Sequence, residues 1–438
     1  MANAENRVST LNGWFKEQYA DNPAELIPAQ FKLQDKIPFG EVQAQGSQYV
    51  LPLVLQYPSG FTFAGPSAGA FSLNAASAGA TVKATVQGYQ MLLRESIDYE
   101  SAKLAESSKT SFGQVTGRVV RSMILACRKR LEIEFFYGQM GLGTLAAVST
   151  GTFLGGLTSF TSANSTVATI TTGEWAAGVW AGAKGMLLEV RDVTGATLRG
   201  NITANAVDLT NRKIQFNEVI GTAGINLQAT DVFWFRGAYG NECAGVHKIL
   251  SNTGTLFGVN AASYELWAGS TYANSGQLTF VSIQKAINAA VEKGLDGDLV
   301  ALVSHKAWSN LLGNEVSNAS TATINGASPS KGRIYDQSYN GGKIVNGGKS
   351  LEFYEQNGGV EMIPTPYVKE GYCYLLSKRD WMRVGATDLT FVLPDSEGKK
   401  FIRPLSENAG FELRAWSHQA PFCAMPGHSA YISGIVNA

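Results

Sequence analysis

The sequence predicts an α+β protein organised around one long helix, with outlying arms that its own globule does not cover. Three observations carry this. Two strand-like runs, QYVLPLVLQY (48–57) and ATVKATVQGYQMLL (80–93), flank a stretch made almost entirely of Ala, Gly and Ser. A helical pattern then extends from about 107 to 138, beyond the usual length of a globular helix. Most of the remaining chain reads as short strands and turns, including a small antiparallel β subdomain inserted between the long helix and a mixed α/β region.

Residues 1–45 come first. Apolar anchors (Leu11, Trp14, Phe15, Tyr19, Phe31, Ile37, Phe39) are spaced between prolines at 23, 28 and 38, so the segment reads as an extended arm lying on something else. The two-stranded arm follows, and an isolated hairpin is marginal in water. Its many large side chains include Leu51, Leu53, Leu55, Phe61, Phe63, Phe71, Leu73, Met91 and Leu92. Leaving half of them wet forgoes on the order of 10 to 20 kcal/mol, at roughly 1.5 to 3 kcal/mol per side chain. A neighbour is therefore needed, and the 64–80 stretch between the strands is expected to be a mobile tip.

In the long helix, Arg118, Arg121, Leu125, Arg128, Lys129 and Glu132 share one arc, while Val119, Val120, Met123, Ile124, Cys127, Leu131 and Phe135 fill most of the opposite side. One packed face and one wet face are expected. Arg130 and Glu134 interrupt the apolar side and stand four apart, the spacing of an ion pair; Gly138, Gly141 and Gly143 end the helix. Between 167 and 237, short strands alternate with turn chemistry at Asp192–Gly195 and Asn211–Lys213. A helix over 278–294 has Thr279 as its N-cap and Gly294 just past its end. The buried strand DLVALVS (298–304) and a short helix (305–313) follow, then a Gly-rich region with NGGK twice, marking tight turns. LEFYE, GYCYLLS, LTFVLP, GFELRAWS and AYISGIV are the closing strands.

Charge narrows the function. Charged residues make up 16 % of the chain, and 35 basic residues balance 35 acidic ones. Ordinary soluble domains carry roughly 25 %, so copies of this chain have little to keep them apart. Zero net charge argues against a duplex-wrapping protein, whose affinity comes from excess positive charge. The opening residues lack the pattern of a signal peptide, and no stretch approaches the ~18 apolar residues of a membrane span. Cys127, Cys243, Cys373 and Cys423 lie far apart with no CxxC, the usage of buried thiols in a reducing cytoplasm.

No motif carries chemistry. Gly65-Pro66-Ser67-Ala68-Gly69 matches the G-x-S-x-G nucleophile elbow but lacks the strand before and helix after that the strained turn demands. His418, Cys423 and His428 are evenly spaced on a proline-bounded loop, without the tight pairs of a structural zinc site. GQMGLG (138–143) lacks the Lys-Ser/Thr of a phosphate loop, and Asp296-Gly297-Asp298 is too short for a calcium loop. No catalytic, cofactor-binding or metal site is expected.

Four stretches, VQGYQMLLRESIDYES, GVHKILSNTGTLFGVNAASYELW (245–267), LVALVSHKAWSNLL (299–312) and FELRAWSHQAPFCAMPGHSAYISGI (411–435), combine with the order of elements. Together they resemble the major capsid proteins of tailed bacteriophages with the Hong Kong 97-type fold. The resemblance implies an N-terminal arm at 1–45, an E-loop at 46–98 and a P-domain at 99–154 with its spine helix at about 107–138. It further implies an inserted β subdomain at 155–240, most of the A-domain at 241–370, and C-terminal strands (371–438) completing both domains. It implies a self-assembling icosahedral shell of hexamers and pentamers around double-stranded DNA, located in the virion and, during assembly, in the host cytoplasm. No cofactor and no membrane are implied. The partners implied are a separate scaffold if there is one, portal and decoration proteins, and weak non-specific contact with packaged DNA. Some members cross-link an E-loop lysine to a neighbour, for which Lys83 is the sole candidate between Lys36 and Lys103. An encapsulin-type compartment shares the fold, and a β-rich hydrolase or adhesin is the rival from another class.

Overall fold

The computed structural model describes residues 27, 29–40, 48–67, 69–100, 115–150, 166–218, 225–311, 338–340, 343–345, 351–355, 358–392, 402–405 and 409–437. The chain forms two compact units. The smaller is built around Leu92–Cys127 and Leu389–Trp416, the larger from Pro28–Met91, Arg128–Asp388 and Ser417–Ala438.

A short helix, α1 (Lys32–Lys36), lies within a segment whose Phe31, Leu33 and Ile37 are buried. The hairpin β1 (Tyr49–Gln56) and β2 (Ala80–Val86) pairs Tyr49 with Val86 and Leu53 with Val82. After it comes β3 (Tyr89–Asp98), so the 80–93 run is two strands, broken at Gln87-Gly88. In the smaller unit, Glu412 is flanked by Arg94 at 2.7 Å and Arg414 at 2.5 Å, and Tyr99 packs edge-on against Phe411.

The long helix, α2, is described over Val115–Tyr137; the expected turns before it lie outside the described residues. Two faces are seen only at its start, where Arg118 and Arg121 are exposed and Met123 and Cys127 buried. Its last turns are buried almost all round, with Leu131, Glu132, Ile133, Phe135, Phe136 and Tyr137 each at 3 % exposure or less. Glu132, expected on the wet arc, is fully buried. Arg130 and Glu134 attract each other, but their close partners are elsewhere: Arg130 lies over the Phe235 ring and Glu134 accepts from the Cys243 N–H at 3.0 Å. The helix ends with Gln139 in the left-handed region (φ 64°), fixed by its N–H donating to Glu242 at 2.9 Å. Gly138 and Gly245 let two backbones touch here. A Cβ on Gly138 would meet the Cys243 carbonyl, and one on Gly245 would lie 2.7 Å from the Gly138 nitrogen.

Six antiparallel strands then close into a barrel in the order β4-β5-β8-β7-β6-β9: β4 (Gly143–Thr150), β5 (Thr166–Ile170), β6 (Leu187–Arg191), β7 (Leu198–Asp208), β8 (Lys213–Phe216) and β9 (Val232–Phe235). It begins at Gly143 rather than at 155, because β4 is its first stave. Leu188, Ile214, Phe216 and Phe233 are fully buried, and Trp180 of α3 (Ala177–Trp180) sits edge-on to Phe233, so side chains fill the interior. Both turn signals work as expected: Asp192 accepts from the Thr197 N–H, and Asp208 from the N–H groups of Thr210 and Asn211.

Next come α4 (Val246–Leu250), the hairpin β10 (Thr255–Leu256) and β11 (Val259–Asn260), β12 (Ser270–Ala273), α5 (Phe280–Glu292) and β13 (Leu299–Val303). The first NGGK joins β14 (Ser338–Asn340) to β15 (Lys343–Val345), and the second lies outside the described residues. β16 (Leu351–Glu355), β17 (Gly358–Pro364), β18 (Cys373–Ser377), β19 (Trp381–Thr390), β20 (Ile402–Pro404), β21 (Gly410–Cys423) and β22 (Ala430–Ser433) complete the chain. The LTFVLP run is a strand only to Thr390.

The main sheet runs β12-β22-β18-β13-β17-β16, with β12/β22 and β13/β17 parallel. β13, central and covered on both faces, buries all five residues. Against the sheet, α5 sets Ile283, Ala286, Ile287 and Ala290, one stripe at helical spacing. Its N-terminus is capped as expected, Thr279 accepting from the Ser282 N–H at 3.2 Å, and Gly294 turns the chain at φ 100°. Thr279→Ala is expected to cost about 1 kcal/mol, the usual worth of such a cap, read as a small drop in thermal midpoint with the fold unchanged.

Candidate assembly surfaces

The β1–β2 arm has two unlike faces, because side chains alternate along a strand. One carries Tyr49, Leu51, Leu53 and Leu55 beside Val82, Ala84 and Val86; the other carries Val50, Pro52 and Val54 beside Thr81, Lys83 and Thr85. At the root it is fastened to the larger unit. Thr85 donates its N–H to the Phe257 carbonyl at 2.8 Å, Tyr49 and Phe257 both pack edge-on against Phe422, and Ala84 and Val86 are buried.

Farther out, that cover ends. The 57–79 segment doubles back, Ser59 N–H donating to the Ser77 carbonyl and Asn74 bonding both Thr62 and the Phe61 carbonyl at 2.8 Å. Asn74 thus ties the two sides of the segment together at Phe61 and Thr62. The segment hides little: Tyr57 is 81 % exposed, Phe61 70 %, Phe63 92 % and Leu73 79 %. Residues 55–82 contain no charged side chain. An uncharged outer segment with so much wet aromatic surface has the character of an interaction site.

A second feature lies in the segment expected as an extended arm. Residues 31–40 form a strap over the larger unit. The Glu132 carboxylate accepts the N–H groups of Leu33 (2.8 Å) and Gln34 (3.0 Å), and the Gln34 side chain donates back to the Arg128 carbonyl. Arg128 pairs with Asp35 at 3.0 Å and lies over the Phe31 ring, which stacks on Tyr367. At the other end Arg383 donates Nε to the Ile37 carbonyl and its backbone N–H to the Pro38 carbonyl, both at 2.8 Å, while Lys36 pairs with Glu361 at 2.7 Å. Only the run of apolar anchors in 31–39 pointed this way.

A buried polar knot lies elsewhere in the larger unit. Lys369 Nζ pairs with Glu174 at 2.6 Å and donates to the Gly141 carbonyl, Tyr372 donates to Glu174 at 2.7 Å, and the Tyr137 hydroxyl donates to the Tyr367 carbonyl while accepting the Lys369 N–H. Glu174 is held below the usual carboxylate range: Lys369 and Tyr372 outweigh the opposing effect of burial. Burial pushes neighbouring His247 down to about 4, so it stays neutral, sharing a hydrogen bond with Tyr374. These groups partner one another fully, as a structural network does.

The motif residues do not converge. Ser67 is exposed in a turn with no helix after it. His418 accepts the Ala386 N–H, Cys423 is a buried thiol and His428 bonds Asp380 at 2.9 Å; among the described residues no group of His, Cys, Asp and Glu could hold a metal. Cys127, Cys243 and Cys373 are likewise buried and unbridged. Gly138–Gly143 is the helix end described above, and Asp298 accepts the Gly359 N–H of β17. Lys83 is exposed, opposite Pro52. On α2, Lys129 is turned inward, donating to the Ala181 carbonyl, and burial lowers it to about 8. Among the described residues no helix is long and apolar enough to cross a membrane.

No family model and no curated protein matches the sequence. Solved structures do. The chain superposes on the capsid asymmetric unit of cyanophage A-1(L) with a TM-score of 0.54 at 10 % identity, covering 98 % of this chain and 99 % of that one. The capsid of the native GTA particle matches with a TM-score of 0.50 at 7 % identity, over 99 % and 100 %. The holo-SrpI encapsulin of Synechococcus elongatus matches at 0.41 and 8 % identity, over 99 % and 96 %, too loose a likeness to weigh. The chain has the Hong Kong 97-type fold of phage capsid proteins.

Proposed function

We propose that this chain is a structural, non-enzymatic major capsid protein of a tailed bacteriophage, and that many copies close into an icosahedral shell around double-stranded DNA. The observation that carries the reading is the β1–β2 arm with its uncharged outer segment, whose Tyr57, Phe61, Phe63, Phe71 and Leu73 lie in water in a chain with the fold of shell proteins. In this reading residues 46–98 are the E-loop, 1–45 the N-arm, α2 the spine of the P-domain, the 143–235 barrel the insertion, and the main sheet with α5 the core of the A-domain.

Hexamers and pentamers follow from head-to-tail contacts, since one arm reaching one neighbour repeats around a ring. Arg118 and Arg121, exposed on the first turns of α2, supply weak, sequence-blind contact with packaged DNA. Scaffold, portal and decoration proteins are the remaining partners, and Lys83 is the lysine available for a cross-link to a neighbour. The protein works in the virion shell after assembly in the host cytoplasm. The test is size-exclusion chromatography with electron microscopy of the purified chain, alone and beside its neighbouring gene products. Closed shells are expected; persistent monomers under every condition overturn the reading, and shells that hold enzymes in place of nucleic acid convert it to a cargo compartment.

A further inference from the structure

Glu132 is an anomaly in the larger unit. It is fully buried on α2, and among the described residues no Lys or Arg forms an ion pair with it; Arg128, one turn before it on the helix, pairs with Asp35 and lies over the Phe31 ring. Its two oxygens instead take the N–H groups of Leu33 and Gln34. The strap thus lies directly against both oxygens of this carboxyl, with Tyr367 close by.

We propose that the 31–40 strap is a proton-controlled latch, shut most firmly when Glu132 is neutral and loosened when Glu132 ionises. Burying a lone carboxylate is costly, and hydrogen bonds to N–H groups offset that cost only in part. Burial accordingly raises Glu132 to about 7, against the lowering effect of the Leu33 and Gln34 hydrogen bonds. With the strap lifted the carboxyl meets water and returns to its ordinary value of 4.5. The docked form therefore binds a proton more tightly than the released form. Its extra hold is fully present below pH 4.5 and is lost as pH rises through about 7. Release becomes easier by about two orders of magnitude across that window.

The surrounding charges do not reproduce this. On the strap, Asp35 pairs with Arg128 at the surface, and Lys36 pairs with Glu361, which hydrogen bonds from Lys36 and Lys378 hold below the carboxylate range. On β19, Arg383 binds the Ile37 carbonyl and pairs with Asp388. Tyr367, against Phe31, is pushed far above neutrality by burial. Release uncovers Phe31, Leu33 and Ile37, now at 5 %, 0 % and 1 % exposure, so the latch controls whether three apolar side chains meet water. None of this rests on the shell reading, since the strap and its seat belong to one chain.

Hydrogen exchange of the full-length chain from pH 5 to pH 8 tests it, scored as protection factors so that the intrinsic pH dependence of exchange cancels. Protection of the Leu33 and Gln34 amides is expected to fall about a hundredfold over that range in the wild type, and to be flat in Glu132→Gln. Asp35→Asn is expected to keep the wild-type slope. Protection that is constant or rises with pH in the wild type overturns the proposal whether or not Glu132→Gln folds, as does an unchanged slope in Glu132→Gln or a lost slope in Asp35→Asn.

Discussion

Replacing Phe61 and Phe63 together by serine is expected to leave the subunit folded and to abolish assembly. The two effects separate because of where these rings lie. At 70 % and 92 % exposure they contribute almost nothing to the chain's own stability, so the double variant should melt within a degree or two of the wild type. Covered by a neighbour, each ring is worth roughly 1.5 to 3 kcal/mol. Losing both removes about 3 to 6 kcal/mol per copy, a factor of roughly 10² to 10⁴ in each association step. A shell multiplies that loss over every contact. Thermal melting with size-exclusion chromatography reads both quantities on one sample. Normal particles from the double variant would mean that the rings stay wet in the assembly; a large drop in melting temperature would mean that the arm belongs to the subunit's own core.

Glu174→Ala is the variant expected to cost most in stability. Lys369 is 3 % exposed, and without Glu174 its ammonium keeps, among the described residues, the Gly141 carbonyl and the face of the Tyr137 ring, 4.4 Å from the ring centre. Breaking a buried pair by deleting one member costs about 3 to 5 kcal/mol, because the charge left behind is uncompensated. Tyr372 loses its acceptor as well. Pairing Glu174→Ala with Lys369→Met should restore much of the loss, since the stranded charge goes too. The pair also sets a pH dependence. Glu174 sits below its ordinary value in the fold, so its contribution is present above pH 4.5 and is lost as acid takes the pH down through the depressed value. Denaturant midpoints for the single and double variants check this: a loss below about 1 kcal/mol for Glu174→Ala, or a double variant worse than the single, would show that the knot stores little energy.

What the sequence made legible was local. Thr279 and Gly294 bracket α5 because a cap needs only neighbours three residues away, and the unbroken apolar run of β13 already says that both faces are covered. The arm strands were legible for the same reason. Glu132 was misjudged on helical spacing, because its partners at 33 and 34 lie about a hundred residues away and nothing on the wheel announces them. Lys369 and Glu174, |i−j| 195 apart, are equally silent in one dimension. The barrel was read as short strands with turns, but its closure, and the recruitment of β4 as a stave, depend on Gly143 and Thr144 pairing with Val232 and Phe233 across the insertion. The small residues of the tip do not announce the two hydrogen bonds by which Asn74 joins it to Phe61 and Thr62.

Chymotrypsin, which cuts after large aromatic residues, gives the most direct measurement of whether sister copies cover the arm. Free subunits and purified particles are digested side by side and cleavage after Tyr57, Phe61, Phe63 and Phe71 is followed by mass. Rapid cutting in the free subunit and strong protection in the particle is the predicted result; cleavage at the same rate in both would show that nothing in the assembly covers the arm.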